Sequence, residues 1–221
     1  MSRSPFDPAW PDLPTVVPVF PLSGALLLPG GTLPLNIFEP RYLSLVEDAL
    51  GAGRLMGMIQ PSTTPDDDSE PPLYPVGCLG RIAAFQETGD GRLLISLTGL
   101  IRFRVREEMA PHNGYRRVRP AYDGFGDDLN EPPEVALDRE KLLGLLKQYF
   151  EMEQINVDAE TLEQAPNDVL LTSVAMLCPF DPREKQALLE TSTVEERANT
   201  MIALLEMALR QGPAGSSNNP Q

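Results

Sequence analysis

The chain has a single histidine, His112, two cysteines, Cys78 and Cys178, and three lysines, Lys141, Lys147 and Lys185. Each scarcity removes a class of chemistry. A Ser-His-Asp or Cys-His nucleophile would have to use His112. That residue sits in Pro111-His112-Asn113-Gly114, a hairpin tip where an exposed turn residue is expected. Structural zinc needs His and Cys at short spacing, and one His with two distant cysteines excludes it. The cysteines form no CxxC pair, and each lies in an apolar stretch, so both read as small buried side chains. A Ser-Lys dyad would have to draw on one of three lysines, each in or beside a predicted helix with a surface reading. No stretch approaches the run of about 18 apolar residues that spans a membrane. The opening MSRSPFDPAWPDLP lacks the apolar core of a secretory signal, so a cytoplasmic protein is expected.

Other chemistry-bearing motifs are also missing. There is no GxxxxGK[ST] loop to cradle phosphate. Gly51-Ala52-Gly53-Arg54-Leu55-Met56-Gly57 approaches GxGxxG, but it follows a predicted helix and has one residue too many. Asp66, Asp67, Asp68 and Glu70 approach a calcium loop, yet Pro71 stands where the turn needs Gly and Gly77 where the bidentate Glu belongs. No pair of carboxylates has a context that marks it for acid–base work. The sequence therefore predicts no catalytic apparatus, no metal and no cofactor.

What is present is acid. The 221 residues hold 18 Lys plus Arg against 32 Asp plus Glu, a formal net charge of -14. Nucleic-acid affinity comes mainly from cations neutralising phosphates, so a nucleic-acid partner is not expected. The charge is uneven: residues 1–125 carry 11 basic and 14 acidic side chains, residues 126–221 carry 7 and 18. Sixteen of the 23 prolines lie in the first 125 residues. Two structural units are expected, with a Pro-rich flexible arm at 1–13, a β-rich unit at 14–124, a linker at 125–133, a helical unit at 134–211 and a disordered tail at 212–221.

The first unit reads as strands. Val16–Phe20 is β-branched, with Pro18 marking an edge or bulge. Ala25–Leu28 and Thr32–Ile37 are short strands around the turn signal Pro29-Gly30-Gly31. Arg41–Leu50 is the one helix, with Tyr42, Leu45, Val46 and Ala49 on one face. Leu55–Gln60, Val76–Gln86 and Arg92–Thr98 follow, the last two joined at Thr88-Gly89-Asp90-Gly91. Ile101–Glu107 alternates, with Arg102, Arg104 and Arg106 on one face, and Asn113-Gly114 turns it into Tyr115–Tyr122. Strands at this spacing argue for a small closed or half-closed barrel. The second unit reads as helices over Pro133–Glu153, Asp158–Gln164, Asn167–Cys178, Asp181 onward and Ser192–Arg210. Asp181-Pro182-Arg183-Glu184 and Ser192-Thr193-Val194-Glu195 supply start signals for the last two. The fold class is α+β, and the acids of the helical unit read as a solvated bundle surface.

Several stretches, taken in order, resemble a known family. They are Val19-Phe20-Pro21-Leu22, Leu27-Leu28-Pro29-Gly30, and Leu33-Pro34-Leu35-Asn36-Ile37-Phe38-Glu39-Pro40-Arg41-Tyr42. Val76-Gly77-Cys78-Leu79-Gly80-Arg81-Ile82, Asp90-Gly91-Arg92 and Gly99-Leu100-Ile101-Arg102-Phe103-Arg104-Val105 follow, then Asp181 to Glu190 and Glu196-Arg197. Together, over about residues 14–210, they resemble the N-terminal, substrate-binding domain of the Lon protease family. The resemblance implies a PUA-like β pseudo-barrel followed by a C-terminal α-helical bundle, and a region that helps recognise unfolded or tagged proteins. The Lon ATPase and peptidase would lie beyond the bundle, where this chain ends, so it resembles the stand-alone bacterial proteins of this type.

The expected function is a non-catalytic protein- or peptide-binding module, an adaptor or regulator of proteolysis. Its expected partners are unfolded or exposed protein segments, with a full-length Lon-type protease as a further candidate. The best-marked surface is the strand–helix joint, where Phe38, Arg41 and Tyr42 are the candidate peptide-binding residues. A competing reading packs Ile37 and Phe38 under the barrel, places Glu39 at the helix N-terminus where the dipole favours it, and buries Tyr42. RNA binding through the stripe Arg102, Arg104, Arg106 is an alternative, but no aromatic side chain interleaves on that face for stacking. Those arginines read as solvated and paired with local acids. A small-ligand site in a groove between barrel and bundle is the remaining alternative.

Overall fold

The computed structural model describes residues 4–63, 70–131 and 137–212. Its strands are β1 (Val17–Pro21), β2 (Thr32–Ile37), β3 (Leu55–Ile59), β4 (Val76–Glu87), β5 (Leu93–His112) and β6 (Tyr115–Ala121). Helix α1 (Pro40–Gly51) lies between β2 and β3. Among the described residues, five α-helices follow the strands: α2 (Arg139–Met152), α3 (Ala159–Gln164), α4 (Asn167–Leu177), α5 (Pro182–Glu190) and α6 (Val194–Gln211). The α+β class and the order of barrel then bundle are as the sequence indicates. The aspartates 66–68, the helix start at 133–136 and the tail from 213 lie outside the described residues.

The six strands form one sheet in the order β2-β5-β4-β3-β1-β6. Strand β5 runs unbroken through both segments that the sequence separates. Its Leu93–Arg104 half pairs with β4, and its Arg104–His112 half pairs with β6. The last strand therefore returns to the longest one, and the sheet curls into a pseudo-barrel. Register shifts at Leu79/Gly80, Ile82/Ala84 and Val105/Glu107 bend the ladders as bulges do. The Asn113-Gly114 turn has positive φ at both residues, 47° and 83°, which suits a tight hairpin.

Two local expectations differ. Ala25–Leu28 forms no strand, and its Leu26, Leu27 and Leu28 are all buried. The Leu28 carbonyl lies so close to Gly99 that a Cβ there would sit 2.1 Å from it, and Gly30 N–H donates to the Gly99 carbonyl at 2.9 Å. The apolar run is satisfied by burial without a ladder. Strand β1 is interior rather than an edge, flanked by β3 and β6. Pro18 is tolerated because the parallel pairing with β3 begins only at Val19.

Helix α1 buries the expected Tyr42, Leu45, Val46 and Ala49. In the bundle α2, α3, α5 and α6 have side-chain N-caps, whereas α4 begins after Pro166 with none. Asp138 accepts from Lys141 N–H, and Thr193 accepts from Glu196 N–H. Asp181 and Glu184 complete a reciprocal capping box at α5. Arg139 of α2 donates to the Leu162, Glu163 and Ala165 carbonyls at the end of α3, where the helix dipole favours a cation. One apolar core runs from Val17 through the barrel into Leu205 of α6.

Of the segment read as an arm, Ser4 onward is described. Asp7 reaches Arg81 of β4 at 2.6 Å with both side chains nearly buried, and Trp10 begins a 3-10 turn that ends at Asp12. The segment is thus attached to the barrel at Arg81.

Candidate functional site

The strand–helix joint places the three candidate residues differently. Ile37, the last residue of β2, points into the core and is 1% exposed. Strand alternation then turns Phe38 outward, where it is 61% exposed, with the Arg92 guanidinium 6.0 Å from its ring centroid. Phe38 therefore does not pack under the barrel. Pairing of Asn36 with Leu94 sets the outward-facing Leu94, 43% exposed, diagonally across from Phe38.

Arg41 and Tyr42 are brought together, apart from the open side of Phe38. Tyr42 is buried on α1 with its ring 4.3 Å from that of Phe20. The Arg41 guanidinium lies over the Tyr42 ring at 4.6 Å and pairs with Glu39 at 2.9 Å. Glu39 makes no side-chain cap to the helix; its carboxylate is taken by Arg41. Glu70 lies 3.7 Å from both Arg41 and Arg116, and Arg116 is buried in a two-pronged pair with Glu108. Burial raises the Tyr42 phenol above its ordinary range, against the lowering pull of Arg41. Tyr42 is therefore a neutral packing residue; Phe38 is the exposed side chain among these, with Arg41 and Glu39 half-buried.

The arginine stripe is divided. Arg106 is exposed and pairs with Asp123, as expected for a solvated arginine. Arg102 is not solvated: it is 5% exposed and is a structural correction to the sequence reading. Its guanidinium donates to both Asp128 oxygens at 2.8 Å and to the Leu189 and Thr191 carbonyls at the end of α5. The outer face of β5 is here the inner face of the barrel–bundle junction. No sequence signal marks it, because alternation shows only which face of the strand a residue takes. A recess of about 180 Å³ remains at that junction, bordered by Arg102, Arg104, Asp123 and Glu190. A larger open groove of about 460 Å³ runs beside the N-terminal segment between Trp10, Leu13, Tyr122 and Arg119. Its cations are engaged, Arg119 with Glu107 at 3.4 Å and Arg106 with Asp123 at 2.6 Å.

His112 is a surface residue 3.8 Å from Asp48, beside Asn113 and Tyr115, which both donate to the same carboxylate. Burial and then Asp48 push the Tyr115 phenol up to about 12. Both cysteines are buried thiols, Cys178 pushed up to about 12 by burial. Among the described residues, no three His, Cys, Asp or Glu side chains are placed to hold a metal ion together. No helix among them is long and apolar enough to cross a membrane.

Residues 16–207 match the family model of the ATP-dependent protease La (LON) substrate-binding domain. The chain belongs to the Lon substrate-binding domain family. It is 26% identical over 210 residues to the Lon protease of Dictyoglomus thermophilum, covering 90% of this chain and 25% of that one. It is 28% identical over 200 residues to Lon protease 2 of Myxococcus xanthus, covering 88% and 24%. The chain thus spans about a quarter of the length of these curated relatives. A Lon N-terminal domain protein from Xanthomonas campestris superposes with a TM-score of 0.59 at 27% identity, over 86% of this chain and 98% of that one. The N-terminal domain of the Mycobacterium avium complex Lon protease has the same fold, with a TM-score of 0.58 at 17% identity. The Lon-type pseudo-barrel and bundle described above are therefore those of the family, and residues 16–207 correspond to its substrate-binding domain.

Proposed function

We propose that this Lon-family domain is a non-catalytic recognition module that binds exposed segments of unfolded proteins and acts as an adaptor or regulator of proteolysis. The observation that carries the reading is the match of the substrate-binding family model to almost the whole chain. The outer face of β2 and β5 supports it, since Phe38 and Leu94 are held in water there by rigid strands. Neighbouring large apolar side chains that form one exposed patch mark interaction sites, unlike single scattered ones. The RNA alternative is the weaker reading: of its stripe, Arg102 is spent on a buried ion pair with Asp128 and Arg106 pairs with Asp123.

The test is binding of a permanently unfolded, carboxymethylated model protein, followed by fluorescence anisotropy. Saturable binding at micromolar concentration is expected, and Phe38→Asp should weaken it about ten-fold, as loss of an interface aromatic does. Tyr42→Phe should leave affinity unchanged. Absence of saturable binding by the unaltered protein would refute the reading.

A further inference from the structure

Three strands, β2, β5 and β4, extend beyond the curled part of the sheet, and their two outer edges differ. Strand β4 pairs with β3 only as far as Arg81, and the last backbone bond on that side is Ile82 N–H to the Arg54 carbonyl. From there to Glu87 it is paired, among the described residues, with β5 alone. Residues 83–87 are all exposed, and Phe85 is 49% exposed.

The register fixes which backbone groups face outward. The hairpin closes with Thr88 N–H donating to the Arg92 carbonyl. In an antiparallel pair, bonded and non-bonded residue pairs alternate. Gln86 with Leu94 and Ala84 with Ser96 are therefore the bonded pairs, and the N–H and C=O of Phe85 and Glu87 point away from β5. The same alternation along β5 turns Pro34 of β2 away from it, toward the other edge. That edge is blunted by a residue with no N–H, a usual protection of edge strands. The β4 edge, Ala83-Ala84-Phe85-Gln86-Glu87, has neither proline nor lysine.

We infer that the β4 edge at Phe85–Glu87 is a strand-addition site for an extended segment of another polypeptide. The inference rests on the proposed recognition function and names where and how a client would be held. The alternating donors and acceptors complement an extended main chain, which every unfolded protein can present. Phe85 pairs with Ile95, and Ile95 with Leu35, so these three form one row across one face. A client residue opposite Phe85 would extend that row, and apolar side chains are preferred there. The remaining contacts at this edge are to main chain, so recognition there is tolerant of sequence. A second copy of the chain is a poorer occupant. Each copy carries a formal charge of -14, and this short edge is far smaller than the roughly 1,200 Å² that stable protein pairs bury.

The test uses the whole chain and two probes, the carboxymethylated unfolded protein and a synthetic Lys-Thr-Val-Thr-Val-Thr-Lys peptide. A version of the peptide N-methylated at alternate residues cannot donate along one edge. Glu87→Pro removes an outward N–H without touching the bonds to β5. Expected are at least ten-fold weaker binding of both probes by Glu87→Pro, with an unchanged melting temperature, and at least ten-fold weaker binding of the methylated peptide by the unaltered protein. If the unfolded protein binds both forms of the chain equally, the edge is not the site, although the recognition function stands. If the unaltered protein binds neither probe, both proposals fail. Should Glu87→Pro unfold the chain, equal affinity for methylated and unmethylated peptides overturns the inference. Self-association that Glu87→Pro abolishes would also overturn it, by showing that a second copy occupies the edge.

Discussion

At the scale of single residues, Arg102 carries the most consequence. Its guanidinium is shared between Asp128 and two carbonyls at the end of α5, with the Phe125 ring 4.9 Å away. A buried pair contributes little when replaced as a unit, but removing one partner strands the other. Arg102→Met should therefore destabilise the protein by about 3–5 kcal/mol, and adding Asp128→Leu should restore part of the loss. Urea unfolding of the two variants checks this; an Arg102→Met cost near zero would show the pair to be solvated. Residue-scale burial also sets the alkaline limit. Cys178 and Tyr115 are each pushed up to about 12, and Cys78, Tyr122 and Tyr149 are raised as well, all chiefly by burial. In the unfolded chain such groups lose protons from about pH 8.5–10. The folded state then holds more protons, so stability is full below that range and falls as pH rises toward 12. Burial shifts Lys185 and Arg197 the other way, Arg197 to about 10, and they offset part of the fall. The melting temperature should decline from pH 9 to pH 11, and less steeply in Cys178→Ala.

At the scale of elements, what could be read from the sequence depended on whether the signal was local. The helix starts at Asp158 and Asp181 were legible because a cap is a contact within three residues, whereas the start read at Ser192-Thr193-Val194-Glu195 falls one residue on, with Thr193 as the cap and Glu196 as its donor. The face of α1 was legible because period and burial agree. Phe38 was named as a candidate, but its exposure follows from alternation past Ile37, which the apolar look of the motif concealed. The unity of β5 was not legible, because Gly99-Leu100 reads as a break between two strands. In the fold Gly99 is continuous strand, and its missing side chain makes room for the Leu28 carbonyl. Gly99→Ala should consequently cost about 3 kcal/mol, the upper range for overpacking. Gly89→Ala, where nothing lies within 4 Å, should change stability by less than about 0.5 kcal/mol. Thermal unfolding of the two variants separates these outcomes, and equal costs would mean that the Leu28 segment yields freely.

At the scale of the molecule, composition divides the chain into a near-neutral strand half and an acidic helical half, yet the contacts join them. Gln60 of the barrel donates to the Pro182 carbonyl and to Gln186 of α5, and Gln186 donates back to the Val76 carbonyl of β4. Lys185 donates to the Gly24 carbonyl at 2.8 Å, and Arg102 holds the end of α5. Each of these groups is buried or partly so, and separating the halves would leave several of them without a partner, at about 1–3 kcal/mol for each neutral group. The apolar core is also continuous across the junction. Two compositions therefore do not imply two folding units. Calorimetry should show one heat-absorption peak with equal calorimetric and van't Hoff enthalpies. Hydrogen exchange should give the slowest amides of β4–β5 and of α4–α6 the same opening free energy. Two peaks, or a bundle that opens well before the barrel, would show that the polar links at α5 are too weak to couple them. A Gln186→Ala variant tests the cause directly: removing the link between Gln60 and Val76 should lower the single transition without splitting it.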